Sequence, residues 1–325
     1  MRFIVYGAGG IGSIMGGHLA RIGHDVILIG RPGHVGAIKE HGLRLTTPTG
    51  ATYVLNIPAV TGPEQIDFTK EDVVFLCMKG QDTQGAMEDL SAVTRELPIF
   101  CFQNGVRNEE IAAKYFQKVY GVMVRVGSVY LKDGEVLARR DPPGWYIMGC
   151  YPEGIDALTE KVAEELRTAG YFVKTTSDVM PYKWGKLMLN VSNAVGAITN
   201  SSRESTMPIS RAVAEESRAI VEEAGIKWIS QEQVVKDWPE ITAPVRGRIN
   251  TEAQSSTWQS LARHQGSVET EFLNGEIVRV AKRLGKRAPI NEKLLRISQE
   301  MAVNHEPPGK YTPSQLAEML GLEDK

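Results

Sequence analysis

The sequence predicts an α/β protein: a doubly wound, mostly parallel sheet in the N-terminal part, followed by an all-α C-terminal domain. Three observations carry this prediction. The first half alternates short β-branched runs with helical patterns, and from about Asp178 the pattern is helical almost throughout. The chain of 325 residues is also longer than one hydrophobic core ordinarily serves, since single cores rarely grow beyond roughly 250 to 300 residues.

The runs Phe3 to Tyr6, Val26 to Ile29, Val73 to Cys77, Ile99 to Phe102 and Val119 to Val124 are continuously apolar, the pattern of strands buried on both faces by helices. Between the first two, Ile11, Met15, Leu19 and Ile22 recur at helical spacing and complete a βαβ unit. Asp133-Gly134 and Asp141 to Gly144 break Val126 to Cys150 into short pieces, an antiparallel extension. Tyr171 to Thr175 supplies a closing strand. The boundary near Thr176 to Asp178 divides the chain into domains 1–177 and 178–325. Helices are expected over Tyr182 to Ala197, Ile209 to Ala224, Gln231 to Lys236, a long stretch from Gln254 to Leu284, and Asn291 to His305. A final helix should begin at Thr312, where Thr312, Pro313 and Gln315 supply an N-cap, a first-turn proline and a capping-box partner.

Composition narrows the function. Apolar residues make up 42% and charged residues 23%, as in an average globular protein. A net charge of -2 with dispersed cations offers no footprint for nucleic acid or an anionic membrane. Small molecules are the expected partners. Cys77, Cys101 and Cys150 show no CxxC pairing and read as buried free thiols of a reducing compartment; no metal site is expected. The N-terminus lacks the pattern of a secretory signal, and no run reaches the roughly 20 apolar residues that span a bilayer, so a cytoplasmic protein is expected. A homodimer is expected from base rates alone.

Directly after the first strand comes Gly7-Ala8-Gly9-Gly10-Ile11-Gly12, a GxGxxG motif with a strand before it and a helix after it. Gly7 permits the tight turn, Gly9 lets the backbone approach a pyrophosphate, and Gly12 lets helix and strand pack closely. This is the dinucleotide fingerprint of a Rossmann domain, with the anion at the helix N-terminus. The second strand ends at Gly30-Arg31, without the acid that usually holds the ribose hydroxyls of NAD. A carboxylate there would repel a 2′-phosphate, whereas Arg31 can grip one, which points to NADP (NADPH); the alternative is an ordinary surface arginine. Lys79 and Gln103-Asn104-Gly105 follow later strands at the same carboxyl edge, where open α/β sheets bind ligands. Lys79 would neutralise a cofactor phosphate or sit near substrate. Gln103 and Asn104 either bind ribose and substrate or cap a turn.

In Trp184 to Asn193, Lys186, Asn190 and Asn193 fall at i, i+4 and i+7 on one helical stripe. Leu187, Met188, Leu189 and Val191 surround it, so these polar groups need either a ligand or a structural amide network. A lysine suits ketone reduction, which leaves an alkoxide that must take a proton from a nearby acid of matched pKa; partial burial brings an ammonium toward that range. Glu269 and Ser256, taken alone, read as structural helix residues.

Together these residues resemble the ketopantoate reductase (2-dehydropantoate 2-reductase) family. The likeness runs from Gly7 to Gly12 with Arg31, through Lys79 and Gln103-Asn104-Gly105, to Trp184, Lys186-Leu187 and Asn190, and on to Glu269 with Asn274-Gly275. The resemblance implies a Rossmann domain, a helical domain and an active site between them. It also implies Lys186 as general acid toward the C2 oxygen, with Glu269 binding the hydroxyl end of the substrate and fixing that lysine. Asn104, Asn190 and Ser256 would orient substrate or nicotinamide, Asn193 would be the second helix asparagine, and Lys79 would lie where cofactor and substrate meet. Two departures stand out: Asn190 and Asn193 are three residues apart where the family has four, and the segment from Gln259 to Glu269 is one residue longer. Arg125 and Arg139-Arg140 are extra cations suited to a different acid.

The implied reaction is NADPH-dependent reduction of ketopantoate to pantoate. A reductase or dehydrogenase of another 2-oxo or hydroxy acid would use the same residues. A non-catalytic NADP sensor would have no need for the proton donor Lys186.

Overall fold

The computed structural model describes residues 1–242, 246–249 and 255–322. In chain order the elements are β1 (Arg2–Tyr6), α1 (Gly10–Arg21), β2 (Asp25–Ile29), α2 (Pro32–His41), β3 (Leu43–Thr46), β4 (Thr52–Leu55), β5 (Ala59–Val60) and β6 (Asp72–Leu76). Then come α3 (Thr83–Val93), β7 (Ile99–Cys101), α4 (Asn108–Ala112), β8 (Val119–Val126), β9 (Ser128–Val129), β10 (Glu135–Ala138), β11 (Arg140–Asp141), β12 (Gly144–Cys150), α5 (Ala157–Thr168) and β13 (Phe172–Thr175). The remainder is α6 (Met180–Asn190), α7 (Asn193–Thr199), α8 (Arg203–Glu223), α9 (Gln231–Asp237), β14 (Gly247–Arg248), α10 (Ser256–Ala262), α11 (Asn274–Arg283), α12 (Pro289–Val303) and α13 (Pro313–Leu320).

The chain divides into two compact units: Met1–Lys183 with Ser230–Asn250, and Trp184–Ile229 with Thr251–Lys325. The expected cut at 177/178 differs from this division at residues 178–183 and in the segment that returns to the first unit.

The first unit is built on an eight-stranded sheet of order β13-β12-β8-β7-β6-β1-β2-β5. Its pairs are parallel except β12 with β8. All five apolar runs are strands of this sheet, and Phe172–Thr175 closes one edge as expected. Burial explains the runs: Phe3 and Val5 pack on one face with Met15, Leu19 and Leu166, while Ile4 and Val74 pack on the other with Met87 and Leu90. Each such side chain contributes about 1.5 to 3 kcal/mol on leaving water. Val126 to Cys150 supplies antiparallel pairs, β12 on β8 and β10 on β9. The sequence did not announce β3, β4 and β5. Leu43–Thr46 and Thr52–Leu55 alternate along their length and pair antiparallel, with β3 then joining β10 in a second sheet, β4-β3-β10-β9.

In the second unit two expected helices are broken. Tyr182 to Ala197 is two helices, α6 and α7, interrupted at Val191-Ser192. The stretch ending at Leu284 is α10, a 3-10 turn at Glu269–Phe272, and α11; Gln254 lies outside the described residues. His264 at φ 50° and Gly266 at φ 69° end α10, because a left-handed residue cannot continue a right-handed helix. The α13 terminus is as expected: Thr312 Oγ1 accepts from Gln315 N at 3.2 Å and Gln315 Oε1 accepts from Thr312 N at 2.9 Å, behind Pro313. The three cysteines are free; Cys101 is buried, whereas Cys77 and Cys150 are only partly so.

Candidate functional site

The first unit gathers one set of expected site residues at the carboxyl edge of its sheet. Tyr6 is level with both Ile29 and Leu76, so β1, β2 and β6 end together. There Gly7 and Ala8 donate to the Ile29 carbonyl at 2.9 and 2.8 Å, and Gly9 N donates to Gly7 O at 2.7 Å, closing the turn. Gly7 sits at φ 105°, and a Cβ on it would lie 2.2 Å from Met78 N. A Cβ on Gly12 would lie 2.4 Å from Gly7 O and 2.9 Å from Val5 Cγ1, so α1 packs directly on the strand. Over Gly9 nothing lies within 4 Å. The three glycines therefore make a tight turn, an open approach and a close packing contact, as the motif requires. The α1 N-terminus has no side-chain cap and no acid in its first turn, which leaves its partial positive charge to an incoming anion. Ile11 and Gly10 open that helix; a Cβ on Gly10 would meet Ser128 Oγ at 2.6 Å.

Beneath the loop, His34 is fixed as a neutral ring. Gly134 N donates to its Nδ1 at 2.9 Å, so Nε2 carries the proton toward Ser13 Oγ at 3.1 Å. Arg31 precedes α2, exposed, with Nη2 3.7 Å from Asp82 Oδ2 in the turn that Lys79 opens. A solvent-exposed pair of this kind is worth about 0 to 1 kcal/mol, so it barely competes with a phosphate for Arg31. Lys79 is half-buried.

Gln103 is buried and its amide nitrogen is committed to the fold: Nε2 donates to Met78 O at 3.0 Å and to Thr83 Oγ1 at 2.8 Å. Thr83 donates to Asn108 Oδ1 at 2.9 Å, and Asn108 Nδ2 holds the Asn104 carbonyl at 2.8 Å. This leaves the half-exposed Asn104 side chain displayed on a braced loop that turns at Gly105, φ 82°. Sequence reasoning missed what braces that loop from behind. Lys183 Nζ lies 2.5 Å from Glu109 Oε1, both side chains essentially without exposure, and donates to the carbonyls of Gln103 at 3.1 Å and Val122 at 3.2 Å. Burial pushes the Glu109 carboxyl up, against the pull of Lys183. Removing one partner of such a pair costs about 3 to 5 kcal/mol.

The second unit carries the other set. Lys186 and Asn190 lie one turn apart on α6, half-buried and buried respectively. Asn193 opens α7, so the expected continuous stripe ends at Asn190. Leu187 and Val191 are buried, but Leu189 is 43% exposed, so α6 is less enclosed than its sequence suggested. Gly185 is required by packing: a Cβ there would lie 1.8 Å from Ile229 O. The break after α6 is held by Asn274, whose Nδ2 donates to the Val191 carbonyl at 2.9 Å and to Asn291 Oδ1 at 2.8 Å. Asn291 is anchored in turn by Glu216, which accepts from its backbone N at 2.9 Å and its Nδ2 at 2.8 Å. Ser256 is the first residue of α10, half-buried, while its neighbour Ser255 is the N-cap and reaches the Asn193 carbonyl at 3.4 Å. Glu269 is buried at the start of the 3-10 turn. α10 packs on both α7 and that turn, which brings the segments bearing Asn193, Ser256 and Glu269 together.

Comparison with known proteins covers the segments that carry both sets. A family model described as "Ketopantoate reductase PanE/ApbA" matches residues 3–153, and its C-terminal counterpart matches residues 178–302. A 2-dehydropantoate 2-reductase of Archaeoglobus fulgidus is 31% identical over 304 residues, covering 91% of this chain and 96% of the relative. One from Pyrococcus horikoshii is 30% identical, over 90% and 94%. The crystal structure of a PanE/ApbA family ketopantoate reductase from Ralstonia eutropha superposes with a TM-score of 0.78 at 29% identity, over 94% and 99% of the two chains. A D-mandelate dehydrogenase in ternary complex with NADH and anilino(oxo)acetate shares the fold at 22% identity and a TM-score of 0.78, over 94% and 99%. With residues 3–153 and 178–302 matched by the two family models, and relatives about 30% identical along nine-tenths of its length, the chain belongs to the PanE/ApbA ketopantoate reductase family.

Proposed function

We propose that the protein reduces 2-dehydropantoate (ketopantoate) to pantoate with NADPH. The observation that carries this reading is the pair on α6, half-buried Lys186 with Asn190 one turn later, in a chain of this family. When bound, the reduced nicotinamide supplies the hydride. Gly7 to Gly12 would cradle the pyrophosphate, since the surface over Gly9 is open and the α1 terminus is uncapped. Arg31 would hold the 2′-phosphate, which its weak exposed pairing with Asp82 leaves it free to do. Lys79 and Gln103 border the same edge, Lys79 as a cation for phosphate and Gln103 as a brace that sets the Asn104 side chain toward substrate or ribose.

Lys186 acts as general acid, delivering a proton to the C2 oxygen as negative charge develops there. Asn190 orients the carbonyl being reduced. Glu269, buried beside α11, binds the substrate hydroxyl and fixes the lysine; Asn193 and Ser256 complete the contacts to the acid. The test is the loss of NADPH absorbance on adding ketopantoate, run beside NADH and beside Lys186→Ala. Turnover with NADPH should fall by about 10² to 10⁴ in kcat in the variant, with its fold intact by circular dichroism. Unchanged turnover in Lys186→Ala would remove the acid from this role, and no turnover in the natural sequence would remove ketopantoate as substrate.

A further inference from the structure

The first unit concentrates arginines that the reading above leaves unused. Arg125 lies near the end of β8, Arg139 and Arg140 at the junction of β10 and β11, and Arg248 on β14. β11 and β14 pair antiparallel with Arg140 directly opposite Arg248, an arrangement that destabilises a sheet when both partners carry the same charge. The backbone draws the others in: Arg139 N donates to Gly127 O and its carbonyl accepts from Ile249 N, each at 2.9 Å. Burial lowers the pKa of Arg125, helped by Arg140, and burial with the Arg248 charge lowers those of Arg139 and Arg140. Arg140 Nε is buried and, among the described residues, has no hydrogen-bond partner. The neighbouring acid, Asp141, is 3.5 Å from Arg246 instead. Arg140 is half-buried while Arg248 opposite it is exposed, and a half-buried guanidinium facing a like charge is stabilised when a counter-charge joins it.

The place of the cluster identifies that counter-charge. Cys101 on β7 is level with Gly121 on β8, so Arg125 lies roughly 13 Å further along the strand, at 3.3 Å per residue, beyond the edge where Gln103 and Asn104 emerge. Ser128, the group nearest a Cβ on Gly10, follows on the same segment. Arg31 follows β2, four strand spacings away in the sheet order, or roughly 19 Å at 4.8 Å each. The 2′-phosphate site and this cluster are therefore separate.

We propose that Arg125, Arg139, Arg140 and Arg248 bind a second anionic group of the substrate, so that the preferred acid is a 2-oxo acid bearing a further carboxylate or a phosphate. A single carboxylate is satisfied by one guanidinium fork; gathering several matches a substrate of higher charge. This rests on the reductase chemistry proposed above and extends its substrate range: ketopantoate is reduced, and a 2-oxo acid of higher charge is reduced faster.

The test compares kcat/KM for ketopantoate, for 2-oxoglutarate and for 3-phosphohydroxypyruvate at saturating NADPH, in the natural sequence and in Arg140→Gln, Arg140→Lys and Arg125→Gln. One or both doubly anionic acids should exceed ketopantoate, the better of them telling carboxylate from phosphate. Arg140→Gln should lower that preference about ten- to a hundredfold, mainly through KM, with Arg140→Lys intermediate. Equal losses for single and double anions, or weakened NADPH binding in Arg140→Gln, would overturn the proposal and give the cluster to the fold or the cofactor. If no acid is reduced, the reductase reading fails separately. Calorimetry with tricarballylate, which cannot be reduced, then decides the site: binding abolished by Arg140→Gln and Arg125→Gln upholds it, and no binding to the natural sequence ends it.

Discussion

Arg21 Nη1 donates to His18 Nδ1 at 3.2 Å, and the His18 ring is packed edge-on to Tyr171 at 5.7 Å. Burial, with the Arg21 charge behind it, lowers the His18 pKa from 6.5 to about 4. The folded state therefore keeps this imidazole neutral where the unfolded chain protonates it. Its contribution is complete above pH 6.5 and is lost as pH falls toward 4, about 3 kcal/mol in all. Urea midpoints at pH 7 and pH 4.5 should show a larger acid loss in the natural sequence than in His18→Leu; parallel losses would assign the acid sensitivity to other groups. At this scale the sequence is legible where chemistry is local. The roles of Gly7, Gly9 and Gly12 follow from six adjacent residues, whereas nothing local links Lys183 to Glu109, which the fold joins across 74 positions of chain.

The helix carrying Lys186 ends where it does because of a side chain far along the sequence. No glycine or proline marks Val191-Ser192; the Val191 carbonyl is instead taken by Asn274, which Asn291 and Glu216 hold in place. Asn274→Ala leaves the Val191 carbonyl and the Asn291 amide oxygen each short of a donor, which should lower stability by about 1 to 3 kcal/mol in urea unfolding. A change below about 0.5 kcal/mol, within the usual range for surface substitutions, would show that water or a local shift replaces that amide. The same break explains why the predicted stripe was only partly right: periodicity placed Lys186 and Asn190 correctly on one face but could not place Asn193, because an interruption made by a distant partner leaves no local mark. Short alternating strands such as β3 and β4 were missed for a related reason. Their buried residues are too few to form a run, and the pairing of β3 with both β4 and β10 is set by the sheet.

For the whole molecule, cofactor and stability are linked. A ligand held only by the folded state stabilises it by about 2.7 kcal/mol at 100 times its dissociation constant. NADPH should therefore raise the melting temperature more than NADH at equal concentration, and Arg31→Ala should remove most of that difference. Equal shifts for both dinucleotides in the natural sequence would sink the assignment of Arg31 to a 2′-phosphate. The doubly wound sheet, the helical remainder and the family could all be read from sequence because each rests on many residues repeating one pattern. The division into units could not, because it depends on where Ser230–Asn250 returns.

That return shapes how the chain is made. A ribosome releases Met1–Lys183 first, yet this unit still lacks α9 and the β14 partner of β11. Both emerge after Trp184–Ile229, which belongs to the other unit. Vectorial synthesis usually lets an N-terminal domain finish before the next begins; here the two must overlap in time. The arginine-bearing ribbon of β11 and β14 is accordingly among the last parts of the first unit to form on the nascent chain.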